Sequence, residues 1–201
     1  MSKPMFVVAT SNAGKLREFQ AILGDAFVLR GLAEFDPVVF PDEGEDYEAN
    51  AIAKARTAAD ALRLPAIADD SGLEVDGLGG APGPLSARYG GPGLDDRGRL
   101  LHLLEALSGM RGSARRARFV CVAAWASPGG SVRVERGECE GCILTAPRGD
   151  SGFGYDPVFE VEGLGRAMAE LLEEEKNRIS HRGRALAALR ASLTQPVETR
   201  S

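Results

Sequence analysis

The sequence predicts an α/β fold built on a mixed sheet. Short runs of apolar and β-branched residues alternate with longer segments of helical spacing, the pattern of strands and crossover helices. Midway along the chain, two strand-like runs follow one another with only a Pro-Gly-Gly turn between them. At least one pair of neighbouring strands is therefore antiparallel. At 201 residues the chain is one domain or two small lobes, large enough for a proper core.

Met5 to Ala9 is apolar and β-branched and reads as the first strand. Thr10 to Gly14 is a polar turn. Leu16 to Leu23 then has helical spacing at Leu16, Phe19 and Ala21-Ile22-Leu23, and Gly24 ends it. Phe27 to Leu29 is a second strand, and the acidic stretch Pro37 to Asp46 is a loop. Tyr47 to Leu64, rich in Ala, is a long helix stopped by Pro65. Ala66 to Ala68 reads as the end of a buried strand that delivers Asp69 and Asp70 into a Ser-Gly turn.

Leu73 to Gly93 is too dense in Gly and Pro for one regular element. Arg97 to Leu107 is a helix with Leu100, Leu101, Leu103 and Leu104 on its buried side. Arg116 to Ala126 and Ser131 to Ile143 are long strands joined by Pro128-Gly129-Gly130. Arg148 to Pro157 is a Gly-rich loop. Glu173 to Leu193 is a final helix, and the tail at 196–201 is expected to fray.

The composition bounds the function. The apolar share of 44% and charged share of 26% are ordinary for a globular protein. A net charge of -5 argues against broad nucleic-acid binding, though not against a small anionic ligand in a local basic pocket. No apolar run approaches a membrane span, and the first residues lack a signal-peptide layout, so the expected location is the cytoplasm. Cys121, Cys139 and Cys142 are too few for a disulfide framework. The Cys139–Cys142 spacing has no second half for zinc, so these are thiols on strands.

Several segments point to chemistry. The first strand runs through Thr10, Ser11, Asn12, Ala13, Gly14 and Lys15 into a helix, a layout that grips phosphates with backbone N–H groups and a lysine. It is not a Walker A loop, which needs Gly at position 9 and Ser or Thr at 16. Paired acids at Asp69 and Asp70 are costly to bury unless a cation meets them, and a divalent metal carrying phosphates would do so. Phe153-Gly154-Tyr155-Asp156-Pro157 sets aromatic rings and a carboxylate in a tight loop, suited to a nucleobase. Lys176, His181 and Arg182 gather donors near the last helix. Only 4 of the 24 basic residues are lysine, and Lys15, Lys54 and Lys176 each fall inside such a segment.

Together these motifs resemble the Ham1/inosine triphosphatase family of pyrophosphatases. The matching segments are Thr10 to Phe19, Glu48 to Arg56, Ala68 to Gly83, Ser86 to Gly91, Phe153 to Phe159 and Glu175 to Leu186, in the family's order and across nearly the whole chain. The resemblance implies an elongated mixed sheet with flanking helices and two lobes around a cleft, as a single domain over residues 1–195. It implies hydrolysis of ITP, dITP and XTP to the monophosphate and pyrophosphate, with Mg2+, by a homodimer. Asp70 would be the proton acceptor and a magnesium ligand, with Asp69 beside it. Thr10 to Lys15 and Lys54 would hold phosphates and Ser71 would touch the substrate. Phe153, Gly154, Tyr155, Asp156, Lys176, His181 and Arg182 would bind the nucleoside. The family's second metal-binding acid falls on Asp42, with Glu43 adjacent. Pro84-Leu85 departs from the usual residues, which bears on loop shape. Two alternatives differ in substrate or activity: a Maf-type nucleotide pyrophosphatase, against which the Ser180-His181-Arg182 and Phe153-to-Pro157 segments argue, and a silent nucleotide sensor, against which Asp70 argues.

Overall fold

The computed structural model describes residues 2–194; the expected fraying at 196–201 lies outside the described residues. One seven-stranded sheet organises them, in the order β2-β1-β3-β5-β6-β7, with β4 paired to β3. The strands are β1 (Met5–Val8), β2 (Val28–Gly31), β3 (Ala66–Val75), β4 (Pro82–Gly83), β5 (Arg116–Ala126), β6 (Val132–Ile143) and β7 (Phe159–Val161). The helices are α1 (Ala13–Leu23), α2 (Tyr47–Leu62), α3 (Asp96–Ala106), α4 (Glu173–Ile179) and α5 (His181–Thr194). Strand β1 runs parallel to β2 and β3, which α1 and α2 make possible as crossovers. The remaining pairs, β3 with β4 and β5, β5 with β6, and β6 with β7, are antiparallel. The sheet is mixed, as the sequence predicts.

The core lies on both sheet faces and at one end. On one face Val7, Ala66, Ala68, Val120 and Val122 meet Ala51, Ala55, Ala58 and Ala59 of α2. The alanine stripe recurs at helical spacing, so α2 lies flat and close on the strands. On the other face Val8, Ile67 and Ala123 meet Phe19 and Leu23 of α1 and Leu186 and Leu189 of α5. A third cluster joins Leu73, Phe119 and Phe159 to Leu100 and Leu103 of α3. Each fully buried Leu or Phe contributes about 1.5–3 kcal/mol. No helix among the described residues is long and apolar enough to cross a membrane.

Several expectations are corrected. Ser71 and Gly72 are not a turn: β3 continues from Ala66 through Asp69 and Asp70 to Val75, paired throughout with β5. The final helix is two helices, broken at Ser180, whose backbone is extended (ψ 159°). Two glycines permit that elbow. A Cβ on Gly183 would collide with the Asn177 carbonyl, and one on Gly137 of β6 with the His181 carbonyl. Leu101 is 51% exposed and leaves the expected buried side of α3; Leu100 and Leu103 are buried and Leu104 packs against the same cluster, as expected.

Candidate active site

Strand β1 stops at Val8, opposite Ile67, and β4 begins pairing only at Leu73. Between them one edge of β3 has no strand neighbour among the described residues, and the cleft opens there, just beyond the carboxyl end of β1. That is where ligands bind in α/β sheets. Successive side chains of a strand point to opposite faces. Asp69 and Asp70 therefore flank the gap from opposite sides and meet different partners.

On the α2 face, Asp70 Oδ1 accepts from Lys54 Nζ at 3.0 Å and Oδ2 from Asn50 Nδ2 at 2.9 Å. Asn50 and Lys54 are one helical turn apart on α2, so one face presents both. Lys54 Nζ also meets Glu43 Oε1 at 2.7 Å. Arg88 fixes the loop by donating to the Glu43 carbonyl at 2.8 Å. Burial raises the Asp70 carboxyl above the usual range, with Lys54 and Asn50 opposing. Burial alone would lower Lys54; Asp70 and Asp69 outweigh it and hold the amine protonated.

On the other face, six charges alternate through the interior. Lys15 Nζ lies 3.0 Å from Asp69 Oδ2. Arg182 joins Asp69, at 3.1 Å, to Glu18. Lys176 joins Glu18 at 2.8 Å to Asp156 at 2.7 Å. Three positive and three negative groups cancel. Burial would raise the Asp69 carboxyl, but Lys15 and Arg182 hold it far below the usual range. Glu18 is likewise lowered, Arg182 and Lys176 overcoming its burial. Asp156 is raised, its burial prevailing over Lys176. Arg182 spends its Nε–H on Asp69, one Nη1–H on Glu18, and its Nη2 on Asp69 and the Ser71 hydroxyl oxygen, which leaves one Nη1–H.

The phosphate-type loop is a capped helix start. Asn12 Oδ1 accepts from Lys15 N–H at 3.0 Å, and Thr10 Oγ1 from Asn12 N–H at 3.2 Å. Asn12 and Lys15 line the cleft; Ser11 and Ala13 are exposed. Gly14 lies under the Phe153 ring, where a Cβ would come within 2.8 Å. Lys176 Nζ sits 4.8 Å from that ring's centre and the Arg182 guanidinium 5.7 Å. Asp156 Oδ2 accepts from Phe153 N–H at 2.9 Å, closing the loop. Tyr155 is buried and donates to the Ser86 carbonyl at 2.9 Å, so its hydroxyl anchors the loop. His181 is buried and stacked on Phe119 at 4.7 Å; burial, then Arg182 and Lys176, push it well below the ordinary histidine range, so it is neutral.

The donor set suits Mg2+ in part. Two carboxylates, Asp70 and Glu43, already gather around one cation, the Lys54 ammonium, at the cleft. Hard oxygen ligands of this kind, with substrate phosphates completing the shell, are what Mg2+ takes. Among the described residues no group of three or more His, Cys, Asp or Glu is arranged around a metal site. Two assignments change. Asp69 is committed to Lys15 and Arg182 on the opposite face, not poised beside Asp70 as a ligand. Asp42 is exposed and does not line the cleft, whereas Glu43 does. Sequence reasoning missed Glu18 and Asn50. The signal for Glu18 was only indirect: Lys176 and Arg182 needed counter-ions.

The model of the Ham1 family matches residues 6–192. The chain belongs to the Ham1 family. It is 50% identical over 197 residues to the dITP/XTP pyrophosphatase of Desulfotalea psychrophila, covering 97% of this chain and 87% of that one. The dITP/XTP pyrophosphatase of Deinococcus deserti is 53% identical over 188 residues, covering 92% and 88%. Among solved structures, a HAM1 protein from Coxiella burnetii superposes with a TM-score of 0.86 at 42% identity, covering 96% of this chain and all of that one. The Staphylococcus aureus Ham1 protein gives 0.83 at 41% identity, covering 94% and 97%. The Ham1 fold, a mixed sheet with flanking helices, is the architecture described above.

Proposed function

We propose that this protein hydrolyses non-standard purine nucleoside triphosphates, ITP, dITP and XTP, to the monophosphate and pyrophosphate. The observation that carries this is Asp70 at the open edge of β3, raised by burial and held on both oxygens by Lys54 and Asn50. The names of the similar dITP/XTP pyrophosphatases support it.

Asp70 takes the proton of the attacking water; a carboxyl raised by burial is a better base than an exposed one. Lys15 and the free N–H groups at the start of α1 receive phosphate oxygens. Attack at the α-phosphorus breaks the α–β bridge, and Lys15 and Lys54 draw the charge of the departing pyrophosphate. A Mg2+ ion held by Asp70 and Glu43 supplies further neutralisation of the phosphates when bound. Phe153 offers a face to the base, and the remaining Nη1–H of Arg182 suits a 6-oxo group. Adenine's amino group meets a donor there and is disfavoured. The reading includes a homodimer and one domain of two lobes over residues 1–195, on the strength of the resemblance, and keeps the cytoplasm as the expected location.

The test is product analysis after incubation with ITP or XTP. Monophosphate and pyrophosphate are expected, only with a divalent metal. A diphosphate and orthophosphate as first products overturn the reading, because attack would then be at the terminal phosphorus.

A further inference from the structure

Of the other cations that line the cleft, Lys15, Lys176 and Arg182 are neutralised within the alternating network. Lys54 faces two carboxylates. Arg99 of α3 differs. It lines the cleft, its side chain is only 21% exposed, and its Nε–H is buried with no partner among the described residues. Its one ionic contact among the described residues is Asp96 at 3.4 Å, and the Asp96 side chain is 60% exposed. Such a pair does little to satisfy a guanidinium.

Asp96 also fixes where Arg99 stands. Its Oδ2 accepts from Gly154 N–H at 3.1 Å, which ties the first turn of α3 to the aromatic loop. Asp96 and Arg99 are three residues apart and share a helix face. Arg99 thus stands on the turn of α3 that is tied to Gly154 and lines the cleft, and among the described residues its only hydrogen bond is the one from Nη1 to Asp96.

We infer that Arg99 is a further substrate-binding residue, which donates to neutral acceptors of the nucleoside: a ring nitrogen or carbonyl, or a sugar oxygen. This rests on the nucleotide reading above. The Nη2 donors of Arg99, unpaired among the described residues and not buried, are the ones open to a ligand, and a hydrogen bond from a charged donor strengthens affinity by about tenfold or more. The contribution is assigned to the nucleoside because Asp96 ties Arg99's turn of α3 to Gly154 of the aromatic loop.

The test is equilibrium binding of inosine 5′-monophosphate and, separately, inorganic tripolyphosphate, without metal, to wild type and Arg99→Met. The expected result is about a tenfold or greater rise in Kd for the nucleotide with tripolyphosphate unchanged. Arg99→Lys, which keeps the charge and removes the Nε–H, should weaken the nucleotide in the same direction and serves if the Met variant does not fold. Unchanged nucleotide binding, or equal loss for both probes, overturns the assignment. 2′-Deoxyinosine 5′-monophosphate separates a sugar 2′-oxygen from the other acceptors: a smaller loss with it places the contact at that oxygen, an equal loss on the rest of the nucleoside. Wild-type binding of the monophosphate without ITP hydrolysis would sink the catalytic reading and leave Arg99's role standing.

Discussion

Asp69 and Asp70 are neighbours in sequence and serve opposite faces of one strand: Asp69 is the counter-ion of Arg182 and Lys15, and Asp70 is bonded to Lys54 and Asn50. The same substitution at the two positions should therefore give different phenotypes.

Asp70→Asn should lower kcat on ITP by about a hundred- to ten-thousand-fold, since an amide cannot take a proton. The melting temperature should move less than for the same change at Asp69, because Lys54 keeps Glu43 as a counter-ion and burial already disfavours the Asp70 charge. Turnover near wild type at saturating magnesium would place the base elsewhere.

Asp69→Asn should instead destabilise the fold. It leaves the buried Arg182 short of one counter-ion and Lys15 without its partner. Breaking a buried pair in this way costs about 3–5 kcal/mol. Urea denaturation measures it; a loss below about 1 kcal/mol would mean that Glu18 alone suffices for Arg182.

His181 predicts a pH dependence. Its folded pKa is depressed, by burial first and then by Arg182 and Lys176. Below the unfolded value of about 6.5 the unfolded chain takes a proton that the folded chain refuses. Stability is present above pH 6.5 and falls as the pH drops below it, by up to about 1.4 kcal/mol per pH unit from this group. His181→Phe, which keeps a ring on Phe119, should remove that slope from the difference between the two proteins. Identical slopes in denaturation series from pH 7.5 to 5.5 contradict the assignment.

Gly14→Ala should separate stability from binding. Ala suits a helix better than Gly, by up to about 1 kcal/mol. The new methyl would stand 2.8 Å from the Phe153 ring and displace it. KM for ITP should rise while the melting temperature holds or increases. An unchanged KM would show that the ring can shift without losing the nucleotide.

The alternation of helices and strands was legible because each buries an apolar stripe with its own period. Strand β5 runs over the residues expected, Arg116–Ala126, and β6 starts one residue later than expected. The run from Asp69 to Gly72 misled, since Asp, Ser and Gly are turn residues. What keeps them in a strand is the apolar run of β5 beside them, together with cations from α1, α2 and α5. Arg182 is 113 residues from Asp69, and no local pattern reveals that pairing. Glu18 resembled any polar residue on an amphipathic helix for the same reason. The choice between Asp42 and Glu43 depends on how an irregular loop bends, which Arg88 helps to settle from a distance. The break at Ser180 carries no Pro; the Asn177 carbonyl against Gly183 and the His181 carbonyl against Gly137 of β6 mark it only once the chain is packed.

The scarcity of lysine has a practical side. Of its four lysines, Lys15 and Lys176 line the cleft, Lys54 grips Asp70 at its edge, and Lys3 is the one elsewhere. A sample carrying isotope only in its lysine side chains would give an NMR spectrum in which three of four signals originate at the site. Their chemical shifts would record occupancy of the phosphate end and of the aromatic loop separately, through Lys15 and Lys176, with Lys3 as the built-in reference.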